Sequence, residues 1–200
     1  MSAPQRGFTL LELIVAVAIF AVVATMAYGG LDLLLRSQST LDSTAARQRA
    51  IDLAVLRIER NLAHALARPA RGPYGDPQPA MQGSAVLAEW SVLDLQGATD
   101  GIRPQGMRVR YAVIDDQLWR AQDAVLDRTP RESARQRPIL DQVERISFRY
   151  LVGNKQRLDQ WPPRSGITAP ERLPRGVEVA LRLKDVGEIV RVVELPEAPR

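Results

Sequence analysis

Across residues 8–30 the chain reads FTLLELIVAVAIFAVVATMAYGG, and Glu12 is the only charged side chain in it. That length matches the roughly 20 residues a helix needs to cross a bilayer. The flanks favour a retained anchor over a removed signal peptide. Only Arg6 and the amino terminus supply positive charge before the run, and no small-x-small cleavage site follows it. The run also exceeds the roughly 7–15 apolar residues of a signal-peptide core. Arg6 on one side is answered by Arg36, Arg47 and Arg49 on the other, so positive charge does not orient the helix. The acid needs a partner, because a charge at the centre of a spanning helix costs about 2.5–3.5 kcal/mol on insertion scales, less near an end.

The helical pattern continues past the apolar run. Leu34, Leu41, Gln48, Val55 and Leu62 recur every seven residues, with Ile51, Ile58 and Ala65 between them, giving an apolar stripe in the later part. The intervening RSQSTLDSTAARQR is polar nearly all round, as suits a stem crossing water. An unbroken helix from residue 8 to residue 66 would be roughly 90 Å long at 1.5 Å per residue. Gly29-Gly30 is its weak point, where any bend would fall, and Arg68-Pro69 closes it. The stretch RPARGPYGDPQPAM, with four prolines and two glycines, reads as a loop.

Beyond it the pattern switches to period two. Val86, Ala88, Trp90 and Val92 alternate in one expected strand; Met107, Val109, Tyr111 and Val113 alternate in another, which turns at Asp115-Asp116 toward Leu118-Trp119. A third run holds Ile146, Phe148, Tyr150 and Val152, and GVEVALRLKDVGEIVRVVEL is the clearest hairpin. Residues 121–138 and 154–174 are polar and proline-dotted and read as long loops. The expected fold class is α+β: one long N-terminal helix packed on an antiparallel, β-rich head.

Composition excludes several kinds of chemistry. There is no cysteine, hence no disulfide scaffold, thiol catalysis or cysteine-held metal. The net charge of +4 is carried by arginine, Lys155 and Lys184 being the only lysines, and its spread along the chain reads as solvated surface, not a nucleic-acid site. His64 is the sole histidine and has no companions for a metal set. Asp115-Asp116 lacks the spacing of a calcium loop, and Gly72, Gly75 and Gly83 lack that of a phosphate loop. Trp90, Trp119 and Trp161 read as core or interface residues. The expectation is a protein that is not an enzyme, with no cofactor, no metal and no nucleic acid.

Arg6-Gly7-Phe8-Thr9-Leu10-Leu11-Glu12 on a continuous apolar helix resembles the class III signal of type IV pilins and type II secretion pseudopilins. The resemblance implies cleavage by a prepilin peptidase between Gly7 and Phe8, N-methylation of Phe8, and a pairing of Glu12 with the new ammonium of Phe8 on a neighbouring subunit. Downstream, Arg68-Pro69, the loop Tyr74-Gly75-Asp76-Pro77-Gln78-Pro79-Ala80, and Leu173-Pro174-Arg175-Gly176-Val177 before a final hairpin with Arg191 resemble the J-type minor pseudopilin. The K-type subunit typically lacks the intramembrane acid, and the H and I types are usually smaller.

That family implies a leader at residues 1–7, a transmembrane helix at 8–30, a periplasmic helical stem at 31–68 and a β-rich head at 69–200. It implies an inner-membrane, single-pass subunit with its head in the periplasm of a Gram-negative bacterium. Partners would be the I-type and K-type minor pseudopilins in a tip complex, other pseudopilins and the prepilin peptidase. The function would be to start and cap the pseudopilus that exports folded proteins. The alternative is a minor pilin of a type IV or DNA-uptake pilus, against which stands the absence of a C-terminal cysteine pair. The leader assignment is checked by Gly7→Leu, which should leave a full-length precursor in the membrane and stop secretion. Normal N-terminal processing of that variant would refute the cleavage position.

Overall fold

The computed structural model describes residues 10–94, 105–123, 125–129, 134–153, 156–164 and 169–197. Among them the only α-helix is α1 (Leu10–Ala63), and all strand pairing in the sheets is antiparallel. The chain divides into two compact units, Met1–Arg49 and Ala50–Arg200. In the first unit α1 is continuous through Gly29-Gly30. Its Thr25 hydroxyl donates to the Val22 carbonyl at 2.8 Å, so this polar group is satisfied inside the apolar helix.

The second unit takes the last residues of α1 and adds three sheets. A two-stranded ladder joins β1 (Ala70–Arg71) to β2 (Pro77–Gln78) inside the proline-rich segment. A five-stranded sheet runs in chain order through β3 (Met81–Gly83), β4 (Ala88–Asp94), β5 (Gln105–Ile114), β6 (Gln117–Asp123) and β7 (Arg135–Leu140). The four-stranded sheet draws on β8 (Val143–Leu151), β9 (Arg157–Leu158), β10 (Gly176–Leu183) and β11 (Gly187–Glu194), in the order β11-β10-β8-β9.

The turns follow from residues able to take a positive φ. Asp115 and Asp116, at φ 49° and 59°, join β5 to β6 with the two left-handed residues that a type I′ hairpin needs. In the last hairpin Leu183 pairs with Gly187, whose φ of 94° suits glycine. Gly83 is constrained by space instead. A Cβ there would sit 2.5 Å from the Leu87 carbonyl and 2.9 Å from the Ala88 Cα, both backbone atoms that cannot swing aside.

The core gathers the α1 stripe and one face of each large sheet. Ile51, Ala54, Ile58 and Leu62 are buried with Trp90, Val109 and Tyr111 of the first sheet and Ile146, Phe148, Val179 and Leu181 of the second. The helix end is pinned by polar bonds as well as by packing. Trp90 Nε1 donates to the Asn61 carbonyl at 2.9 Å, and Asn61 Nδ2 donates to the Tyr111 hydroxyl at 2.7 Å. Trp90 and Tyr111 stack with ring centroids 5.4 Å apart.

Three expectations need correcting. The helix stops at Ala63, short of Arg68-Pro69, because β4 captures the following backbone. Leu93 N donates to the His64 carbonyl at 3.0 Å and Leu66 N to the Ser91 carbonyl at 2.8 Å. The stretch 121–138 is not one long loop: β6 reaches Asp123 and β7 starts at Arg135. β7 looks like loop because it is an edge strand with an exposed, arginine-rich start and a proline, Pro138, which an edge accepts. The stretch 154–174 also carries the short β9.

The other face of β4 and β5 buries charge. Glu89 lies opposite Arg110 and Ser91 opposite Arg108. Arg108, 1% exposed, donates through Nε to Glu89 at 2.5 Å and through Nη1 to the Pro79 carbonyl at 2.9 Å, while Arg110 Nε reaches the second Glu89 oxygen at 3.0 Å. Burial alone would push the Glu89 carboxyl up, but Arg108 and Arg110 beside it more than reverse that, and it lies below its ordinary value. The stability this carboxylate contributes is therefore present above the unfolded-state pKa and lost as pH falls through the lowered one. Removing one partner strands a buried charge. Glu89→Gln should cost about 3–5 kcal/mol in thermal unfolding followed by circular dichroism, and Glu89→Gln with Arg108→Met should recover much of it. Equal stability of the single variant and wild type would refute this role.

Candidate functional site

The first candidate site is the face of α1 that carries Glu12. The span Leu10–Leu31 is 22 residues, about 33 Å at 1.5 Å per residue, which covers a hydrocarbon core of about 30 Å. It is long and apolar enough to cross a membrane, and no part of its most apolar window is buried. Glu12, Val15, Ala16 and Ile19 share one face by helical spacing and, with Leu11, line a shallow depression in it. Leu10, Leu11 and Phe20 are more than 70% exposed, an apolar surface consistent with a membrane anchor. The residues on either side of the expected cleavage, Gly7 and Phe8, lie outside the described residues.

In the second unit the other residues singled out by the sequence are scattered. His64 is exposed just past the end of α1, and its carbonyl serves β4. Asp116 accepts from Lys184 Nζ at 2.5 Å, tying the β5–β6 turn to the β10–β11 turn. Among the described residues no group of three or more His, Asp or Glu could hold a metal. Trp90 and Trp161 are buried in the core, and Trp119 is partly buried. Gly72, Gly75 and Asp76 form a tight loop: Gly72 N donates to the Asp76 carbonyl at 2.8 Å and Gly75 N to the Gly72 carbonyl at 2.9 Å. That loop holds Tyr74 89% exposed.

The second unit also contains polar residues to which the sequence reading gave no role. Glu178 of β10 is buried and receives Arg149 at 3.1 Å and Arg157 at 3.2 Å. Asp123 is buried beside Arg128 at 3.1 Å, and burial pushes its carboxyl up despite that guanidinium. Arg191 of β11 reaches Glu59 of α1 at 3.1 Å. Arg120 is 6% exposed on β6, opposite Tyr111. Strand parity was the available signal for it, since Leu118-x-Arg120 places the arginine on the same face as a core leucine.

Comparison with known proteins places these features. A family model for the prokaryotic N-terminal methylation motif matches residues 2–28, and one for type II secretion system (T2SS), protein J matches residues 29–195. A methylation motif on an apolar helix that leads into a β-rich head defines a pilin-type subunit. The chain belongs to the type II secretion system protein J family, the minor pseudopilins of that kind. It is 34% identical to type II secretion system protein J of Escherichia coli over 200 residues, covering 96% of both chains. To the protein of that name from Vibrio cholerae it is 27% identical over 205 residues, covering 94% of this chain and 86% of the relative. A chain in the crystal structure of the GspK-GspI-GspJ complex from the enterotoxigenic Escherichia coli type 2 secretion system shares the fold. The TM-score is 0.63 at 15% identity, over 76% of this chain and 99% of that one.

Proposed function

We propose that this minor pseudopilin works by assembly alone: it helps start and cap the periplasmic pseudopilus, and it catalyses no reaction. The observation that carries the proposal is Glu12, the one charge on an exposed apolar helix face, behind a methylation motif. The peptidase cuts between Gly7 and Phe8 and methylates Phe8. The resulting ammonium on a neighbouring subunit then meets Glu12 in the membrane. Attraction between two such charges is strong in low dielectric, though desolvation takes back much of it. The pair therefore sets the stagger of neighbouring helices more than it adds bulk stability.

In this reading residues 1–7 are the leader and 8–30 cross the inner membrane. Residues 31–68 form the stem, and 69–200 the head, in the periplasm. The I-type and K-type subunits are the partners; support comes from the fold shared with a chain of the GspK-GspI-GspJ complex.

Glu12→Gln tests the proposal. The amide costs less than a carboxylate in hydrocarbon, so the variant should insert at least as well as wild type. Cleavage should survive, because the Gly7–Phe8 bond is untouched. Crosslinking to the I-type neighbour in the membrane should fall, with partial loss of secretion. Equal crosslinking and equal secretion would overturn the pairing.

A further inference from the structure

Between the last turns of α1 and the β5–β7 part of the first sheet lies a pocket of about 160 Å³ with an unbalanced charge. Arg57, Arg60 and His64 line it from the helix side, Arg120 from β6 and Arg137 from β7. No carboxylate lines it. Among the described residues no ion pair joins any of these four arginines to an acid.

Three observations show that this arrangement costs the fold something by itself. Arg120 and Arg137 are direct cross-strand partners in the β6–β7 register, and like charges placed opposite are destabilising. Arg120 is 94% buried by the complement of its 6% exposure; its Nη1 donates to Gln122 Oε1 at 2.6 Å, but its buried Nε has no hydrogen-bond partner among the described residues. Burial, then Arg137 and Arg120, pull the Arg57 guanidinium below its ordinary pKa. An oxyanion between these groups would reverse the repulsion and take up the unpartnered donor.

The rim says where the oxyanion comes from. Leu53 and Leu56, on the helix side of the same pocket, are 65% and 48% exposed. A free ion gains nothing from them, whereas a peptide whose acid is flanked by apolar side chains covers both. The volume admits a carboxylate-bearing side chain but no folded element. We propose that this pocket is a docking site for an acidic segment of a partner polypeptide. Its carboxylate enters between Arg57, Arg120 and Arg137, and its apolar neighbours cover Leu53 and Leu56. The choice of a polypeptide rests on the reading that the chain acts by joining other subunits.

The test uses the full chain in non-ionic detergent and a fluorescein-labelled synthetic peptide of alternating leucine and glutamate, with its leucine–glutamine counterpart as control. Fluorescence anisotropy should show the glutamate peptide binding at least about tenfold more tightly, with a preference that shrinks as salt rises. Arg57→Gln with Arg137→Gln should abolish the preference without lowering the unfolding midpoint, since both side chains are exposed and their loss relieves the repulsion around Arg120. Arg137→Glu should raise the midpoint, by supplying the missing acid from within, and should also abolish peptide binding. Leu53→Ala should weaken the glutamate peptide and leave inorganic phosphate unaffected. Equal binding of the two peptides, or a preference that survives the double arginine variant, overturns the proposal. So does phosphate competing as well as the glutamate peptide, which would make the pocket an ion site. Glu12→Gln should leave peptide binding unchanged, so failure of the membrane pairing and failure of this pocket are told apart.

Discussion

One helical stripe must satisfy two sheets at once, and the second compact unit depends on it. Ile51, Ala54, Ile58 and Leu62 are all at most 3% exposed, and they join a core shared with β4–β6 and with β8 and β10. Neither sheet is independent of the other there. Large-to-small changes at buried positions of this kind cost about 2–5 kcal/mol, a large part of the margin by which an ordinary domain is folded. The polar bonds at Asn61 fix the rotation of the helix about its axis, which packing of small and branched residues would leave looser.

The elements legible in the sequence were those whose signal is local. Glu12 announces itself because a charge in a long apolar run has no ordinary explanation, and the hairpin at Asp115-Asp116 because aspartates tolerate the left-handed region. The features that were not legible depend on partners far along the chain. The end of α1 is decided by Ser91 and Leu93, which take the backbone that follows Ala63. β7 carries a polar beginning and a proline because only one of its sides is paired, which nothing within RQRPIL reveals. For the membrane face, the proposed pairing assigns to Glu12 a group on another subunit, which no pattern within this chain spells out.

The head uses arginine in two opposed ways. Arg108 and Arg110 share Glu89, and Arg149 and Arg157 share Glu178, so one buried acid serves two guanidiniums in each sheet. Planar, forked donors suit that sharing, since each oxygen can take a separate bond, and a lysine would not replace them. Around Arg120 the same residue type is gathered without an acid. The pocket around Arg120 is thus a local surplus of positive charge that the chain's net charge of +4 could not locate.

The core that closes on the first helix has a further consequence, for the order of events during folding. Ile51 lies at the start of the second unit and Leu195 near its end, yet both belong to the same buried cluster. An inner strand of the second sheet, β10, pairs on one side with β8 and on the other with β11, so its pairing is complete only with the late residues Gly187–Glu194. Contacts of such high sequence separation form late, because the loop-closure entropy comes before the reward. Closure of this shared core therefore needs Ile51 and Leu195 together, whereas β3–β7 pair only strands adjacent in sequence. The meander can therefore take shape from neighbouring strands alone, and the second sheet closes over the helix as the last step.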